Sequence, residues 1–216
     1  MNTRLPTTRT PTTTPIPTPG IMSADLKSNC TELSRAYNFY YHAPENNDYS
    51  LESYIEILSF NSLEEFWVLD KFIRREMIEM GMFFIMADPI LPMWEDSHNI
   101  NGGCISWKVD RKNAYKYWVD IIGHFITGNL GRHASKVNGI SISPKKNSSI
   151  IKLWMSQEVD VEDLQLPESF MLVDDKVIFK SHTQNIDKDK TKRSNGQPLN
   201  CYKYNDGKYH RGSYLE

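Results

Sequence analysis

The residues best suited to chemistry lie in Pro92-Met93-Trp94-Glu95-Asp96, followed closely by Asn101-Gly102-Gly103. A tryptophan set between proline and two acids, outside any periodic run, is poorly placed to fill a core. It is well placed to hold a flat, positively charged ring, because the indole face attracts a cation and an adjacent carboxylate accepts hydrogen bonds from donors along the ring's edge. The competing reading of these residues is a structural turn. Enzyme signatures are missing from the sequence: it has no glycine-rich phosphate loop, His-Glu-x-x-His, Cys-x-x-Cys or Gly-x-Ser-x-Gly. His98 and Cys104 stand six residues apart near the glycines, and such a lone pair is more often incidental than metal-binding or catalytic. Binding without catalysis is the expectation, with no cofactor and no metal.

The 216 residues suit one domain with tails. A net charge of -2 argues against a protein that coats nucleic acid through a basic surface, and leaves room for a local basic site. Three widely spaced cysteines, Cys30, Cys104 and Cys201, do not form a disulfide framework and fit a reducing compartment. No stretch approaches the roughly 18 apolar residues of a membrane span. No apolar leader opens the chain, so a cytoplasmic location, or also a nuclear one, is expected.

Residues 1–20 hold eight Thr and five Pro, and 1–30 reads as a disordered tail. Between 31 and 183 short elements alternate in type. Tyr37, Phe39 and Tyr41 alternate with Asn38 and Tyr40 as in a strand, and a second strand follows over 54–60. Ser62 with Glu65 forms a capping-box signature, and Phe66, Leu69, Ile73 and Met77 recur at helical spacing. An apolar strand over 82–86, a strand through Ile105, Trp107 and Val109, a helix from Asn113 to a stop at Gly128, and a hairpin over 140–155 complete the pattern. The sum is an α+β domain built on an antiparallel sheet. Residues 184–216 read as a basic loop and tail, and Cys201 to Tyr214 has no clear periodicity.

The Pro-Met-Trp-Glu-Asp block with its following Gly-Gly, Leu63-Glu64-Glu65-Phe66-Trp67 before it and Leu153-Trp154 after it resemble the messenger-RNA cap-binding family of eukaryotic translation initiation factor 4E. The likeness covers roughly residues 33–183. It implies a curved antiparallel β-sheet with about three helices on its convex face and 7-methylguanosine held in the concave face. Trp94 matches the second of two stacking residues, and Glu95 matches the carboxylate that reads N1-H and the exocyclic amine. The first stacking residue is assigned to Tyr49, one position from the count back from Trp67, because Tyr stands there in one branch of the family; an ordinary exposed Tyr is the rival. Trp154 is implied to touch the N7-methyl group, or to be core. The triphosphate contacts fall on Lys145, with Lys146 beside it, while two further basic positions of the family are Ile150 and Cys104 here. Lys188, Lys190, Lys192 and Arg193 lie where the family's loop covers the nucleotides after the cap; a solvated charge run is the alternative.

For the opposite face the resemblance implies a helix-in-groove contact with a scaffold factor 4G-like or 4E-interacting protein, anchored on Trp67 with Leu63, Val119 and Asp120. Within its helix Trp67 lies off the core stripe. Gly123 replaces a leucine of that surface. The expected protein is a monomer that recruits initiation partners to capped mRNA and performs no reaction. The alternatives are a cap-binding repressor and a protein-interaction module with a degenerate cap pocket.

Overall fold

The computed structural model describes residues 30–160, 164, 166, 168–171, 176–184, 199–205 and 208–214. The Thr/Pro segment and Lys188, Lys190, Lys192 and Arg193 lie outside these. In chain order the elements are β1 (Glu32–His42), β2 (Ile55–Ser62), α1 (Leu63–Phe72), α2 (Arg75–Met80), β3 (Met82–Ala87), β4 (Gly103–Asp110) and α3 (Arg111–Ile126). They continue through β5 (Val137–Pro144), β6 (Ser148–Met155), α4 (Glu168–Met171), β7 (Lys176–Ser181), β8 (Leu199–Asn205) and β9 (Lys208–Tyr214). The strands form one curved antiparallel sheet in the order β2-β1-β3-β5-β6-β4-β7-β8-β9. This is the α+β architecture expected, with the helices on the convex face.

Alternation along each strand divides the two faces. Ile140 and Ile142 of β5, Ile151 and Leu153 of β6 and Ile85 of β3 are buried in the core beneath the helices. Tyr37 of β1 meets Phe125 of α3 edge-on at 5.1 Å, and Trp107 of β4 meets Phe170 of α4 at 5.4 Å. The opposite face carries Phe84, Ser141, Lys152 and Trp154, brought side by side because Phe84 pairs with Ser141 and Ser141 with Lys152. In β1, Tyr37 through Tyr40 are all buried, since both faces are covered there and the simple in-out alternation is lost.

The capping box at α1 forms as its residue types require. The Glu65 N–H donates to Ser62 Oγ at 3.3 Å, and the Asn61 N–H donates to the Glu65 carboxylate at 2.9 Å. Ser62 is buried. Ser62→Ala is expected to remove about 1 kcal/mol of stability, read as a lowered urea midpoint with an unchanged slope; an unchanged midpoint would show that the cap contributes nothing.

Three segments differ from the sequence-based expectation. The single stripe through Met77 breaks where Ile73 turns extended (φ -84°, ψ 99°) after its N–H closes α1 on Leu69. The chain re-enters α2 out of phase, so Ile78 takes the buried position and Met77 is exposed. The second long helix starts at Arg111 rather than Asn113, because β4 runs straight into it at Asp110; it stops, as expected, before Gly128 in the left-handed region at φ 70°. The third is Cys201 to Tyr214, which forms most of a hairpin that extends the sheet beyond β7. Its strands are joined in sequence by Asp206-Gly207, a dipeptide that favours two-residue hairpins.

Candidate functional site

A cleft of about 380 Å³ opens on the concave face. Two loops and the sheet line it: Tyr49 and Tyr54 from the segment before β2, Pro92, Met93, Trp94 and Glu95 from the β3–β4 connection, and Met82, Phe84, Ser141, Ser143, Lys145, Ile150, Lys152 and Trp154 from β3, β5, β6 and the β5–β6 turn. Tyr49, Trp94, Glu95, Trp154 and Lys145, singled out from the sequence, therefore share one cavity. Lys146 is exposed in the β5–β6 connection and is not among the lining residues.

The Tyr49 wall is built from β1 outward. His42, fully buried at the end of that strand, lies flat against the Tyr49 ring at 4.6 Å with 1° between the planes. Its Nε2 is 2.8 Å from the Asp48 carbonyl, where a protonated nitrogen donates. The Asp48 carboxylate accepts the N–H and hydroxyl of Ser50, which hold it below the usual carboxylate range. One face of Tyr49 is thereby backed and the other left open, with 52% of the residue exposed. Burial, then the proximity of Tyr49 and Glu95, pushes the neighbouring Tyr54 phenol above its ordinary pKa, so it stays neutral.

The Trp94 wall is held by polar side chains. Asn99, fully buried, donates to the Leu91 carbonyl at 2.9 Å and the Met93 carbonyl at 2.8 Å, and Asn138 of β5 donates to Asn99 Oδ1 at 2.9 Å. Asp96 accepts the backbone N–H groups of Leu91 and His98 and contacts the His98 ring at 2.9 Å. Burial pushes the Asp96 carboxyl up, but these bonds outweigh it and hold the group below the usual range. His98 is thus a loop staple, and Cys104 faces a different histidine.

That histidine is His182, fully buried behind both tryptophans. Its ring lies 6.4 Å from Trp94 at 27° and 5.0 Å from Trp154 at 33°, and its Nε2 is 3.9 Å from Cys104 Sγ. The end of β7 brings it there, since the His182 N–H donates to the Gly102 carbonyl at 3.0 Å. Side chains on Gly102 or Gly103 would strike the backbone of Met155 and Lys180, so the Gly-Gly pair lets the strands close up at this point. Burial first, then the Lys152 charge, pushes the imidazole down to about 4, while burial pushes the Cys104 thiol up to about 12. Both are neutral at physiological pH, which denies the pair a thiolate nucleophile.

Trp154 is almost wholly buried, its Nε1–H donating to Ser141 Oγ at 2.9 Å, yet its edge reaches the cleft. It is both core and lining. Lys145 sits where the Arg111 guanidinium donates to its carbonyl at 2.7 Å, tying the cleft's mouth to the start of α3.

On the convex face Trp67 is 52% exposed over the buried Phe66 ring. Leu63, one turn away, is half-buried, as are Val119 and Asp120. The Tyr115 hydroxyl donates to Asp70 at 3.0 Å and sets α3 beside α1. Val119 lies one turn on from Tyr115 and Trp67 one turn back from Asp70, so the four residues flank one groove. Val68, Phe72, Met77 and Met80 add exposed apolar area along α1 and α2. A side chain at Gly123 would meet nothing within 4 Å, so the groove is open on that side.

The family model described as Eukaryotic initiation factor 4E matches residues 32–197. The chain belongs to that family. Factor 4E of Candida glabrata is 28% identical over 152 residues, covering 62% of this chain and 72% of the relative. Factor 4E of Saccharomyces cerevisiae is 26% identical over 146 residues, covering 59% and 68%. The fold is shared with eIF4E-3 of C. elegans, solved with the 4E-binding protein Mextli and a cap analog, at TM-score 0.62, 17% identity, and coverage of 74% of this chain and 96% of that one. It is shared too with a schistosome eIF4E solved with m7GpppG and 4E-BP, at TM-score 0.61, 17% identity, and coverage of 78% and 96%. Within this factor 4E chain, sequence reasoning missed His42 behind Tyr49, His182 behind Trp94, the Asn99 staple and Lys152 on the floor. Only Lys152 left a visible signal: Ile150, Lys152 and Trp154 alternate on one face of a strand.

Proposed function

We propose that the protein binds the 7-methylguanosine cap of messenger RNA in the concave cleft and recruits translation initiation partners through the convex groove. The observation that carries this reading is that Tyr49, Trp94 and Glu95, from two separate loops, line one cleft. N7-methylation gives the base a positive charge, so each ring adds a cation–π attraction of about 0.5–2 kcal/mol to the stacking that any base enjoys. Glu95 accepts from N1-H and the amine, two donors facing one carboxylate. Lys145 meets the phosphates, and Lys188, Lys190, Lys192 and Arg193 are assigned to the nucleotides that follow. The protein acts as a cytoplasmic monomer, binds, and leaves the cap unaltered. Among the described residues no helix is long and apolar enough to cross a membrane. The C. elegans relative, solved with a cap analog and Mextli, and the schistosome relative, solved with m7GpppG and 4E-BP, support both ligands.

Titration with 7-methyl-GTP is expected to quench tryptophan fluorescence at concentrations where GTP does not. Equal quenching by the two nucleotides would leave only the protein-interaction reading. For the convex face, Trp67→Ala is expected to weaken binding of a peptide with the Tyr-x-x-x-x-Leu pattern that the factor 4E resemblance implies for the partner by about 2 kcal/mol, roughly thirtyfold, as for a central aromatic anchor, and to spare 7-methyl-GTP. An unchanged peptide affinity would move the partner site elsewhere. The open groove at Gly123 favours one second reading, a cap-binding repressor that does not engage the scaffold factor. Wild-type protein that binds caps but no such peptide would establish it.

A further inference from the structure

We propose that Lys152 anchors the phosphate nearest the nucleoside, so that the pocket reads a nucleotide and not a base alone. This rests on the cap-binding reading above. Lys152 projects from β6 onto the cleft floor, two residues from Trp154 on the same face. Its cross-strand neighbours are Ser141 and Ser106, neutral on both sides. Among the described residues no carboxylate lies within ion-pair distance of it, Glu95 of the same cleft included. A half-buried ammonium without a counterion is costly unless a ligand supplies the negative charge.

The position also fixes which part of the ligand supplies it. Trp154, nearly buried, lines the cleft where the cap-binding reading sets the methylated base, and two strand residues, about 7 Å, separate its backbone from that of Lys152. At that range a bare ammonium repels a methylated, positively charged base. A phosphate placed between them is attracted to both and removes the conflict. Lys145 cannot take this role: its N–H pairs with the Ser148 carbonyl, and Ser148 to Lys152 is about 13 Å along the strand, with apolar Ile150 in between. Lys152 therefore holds the inner phosphate and Lys145 the outer ones.

The test is titration of the full-length protein and its Lys152→Met and Lys152→Arg variants with 7-methylguanosine, 7-methyl-GMP and 7-methyl-GTP, followed by tryptophan fluorescence. Lys152→Met is expected to weaken both nucleotides by about tenfold, the scale of one charged contact. It should leave the nucleoside unchanged or bound more tightly, because the repulsion is gone. The affinity for 7-methyl-GMP should also become less sensitive to salt, because one screened charge pair is gone. Lys152→Arg should stay near wild type, which separates loss of charge from a damaged fold. An equal loss for all three ligands, or no loss for 7-methyl-GMP, overturns the assignment while leaving cap binding intact. Wild-type protein that responds to none of the three overturns cap binding, and this inference with it.

Discussion

Trp94→Ala is expected to weaken 7-methyl-GTP binding by about a hundredfold. Stacking of a base on an aromatic ring contributes about 1–3 kcal/mol and the cation–π component of a methylated base about 0.5–2 kcal/mol. Their sum, near 3 kcal/mol, corresponds to two powers of ten. The loop should survive the substitution, because Asn99 and Asp96 hold its backbone and the Trp94 ring does not. The change should therefore appear in the titration of a folded protein, with a separate drop in melting temperature from the lost packing of the ring against His182. The same variant should also lose GTP affinity, through the stacking that any base enjoys, so the gap between the two nucleotides narrows only by the cation–π share of Trp94. A loss below threefold would show that Trp94 does not stack on the base.

Between pH 6.5 and pH 4 the protein is expected to lose about 3 kcal/mol of stability through His182 alone. The imidazole is buried against Trp94 and Trp154 and near the Lys152 charge, so the folded protein takes up its proton only near pH 4. The unfolded chain takes it up near pH 6.5. In the interval the unfolded state holds the extra proton, and acid favours unfolding; the contribution is complete above pH 6.5 and lost on descent towards 4. The carboxylates of Asp48 and Asp96 are held below their usual range, so their contributions are lost at still lower pH. Denaturant titrations at pH 7 and pH 4.5 measure the difference, and His182→Phe should flatten it. An identical pH slope in that variant would refute the assignment. Cap affinity should fall over the same interval, since a protonated His182 sets a positive charge behind the two rings that attract a positive base.

What could be read from the sequence is what local chemistry dictates. Ser62 and Glu65 announce their helix because a capping box is complete within a few residues, and Trp94 with Glu95 announces a site because its oddity is local. The strand pattern around Ile151 and Leu153 is equally local. His182 was hidden because nothing near residue 182 signals that β7 will return beside β4 and press its end against Gly102. His42 was hidden for the same reason: its partner Tyr49 is a loop residue whose placement depends on the whole Asp48–Ser50 turn. The break at Ile73 escaped because the apolar spacing continues through it, and only packing decides that Ile78 faces inward. Lys152 left a local trace in its alternation with Ile150 and Trp154, but only the pairing of β3, β5 and β6 shows that this face lines the cleft.

The five tryptophans fall into three environments, and this gives the molecule two separate optical reporters. Trp107 and Trp118 are sealed in the core, distant from either surface, and supply a constant emission. Trp94 and Trp154 border the cleft, so a stacked, electron-poor base quenches them by accepting an electron from the excited indole. Trp67 stands half in water on the other side of the sheet, where an arriving peptide strips solvent from the indole and moves its emission to shorter wavelength. Intensity thus follows the nucleotide and colour follows the partner. A single sample titrated with both ligands would show directly whether filling one face alters affinity at the other.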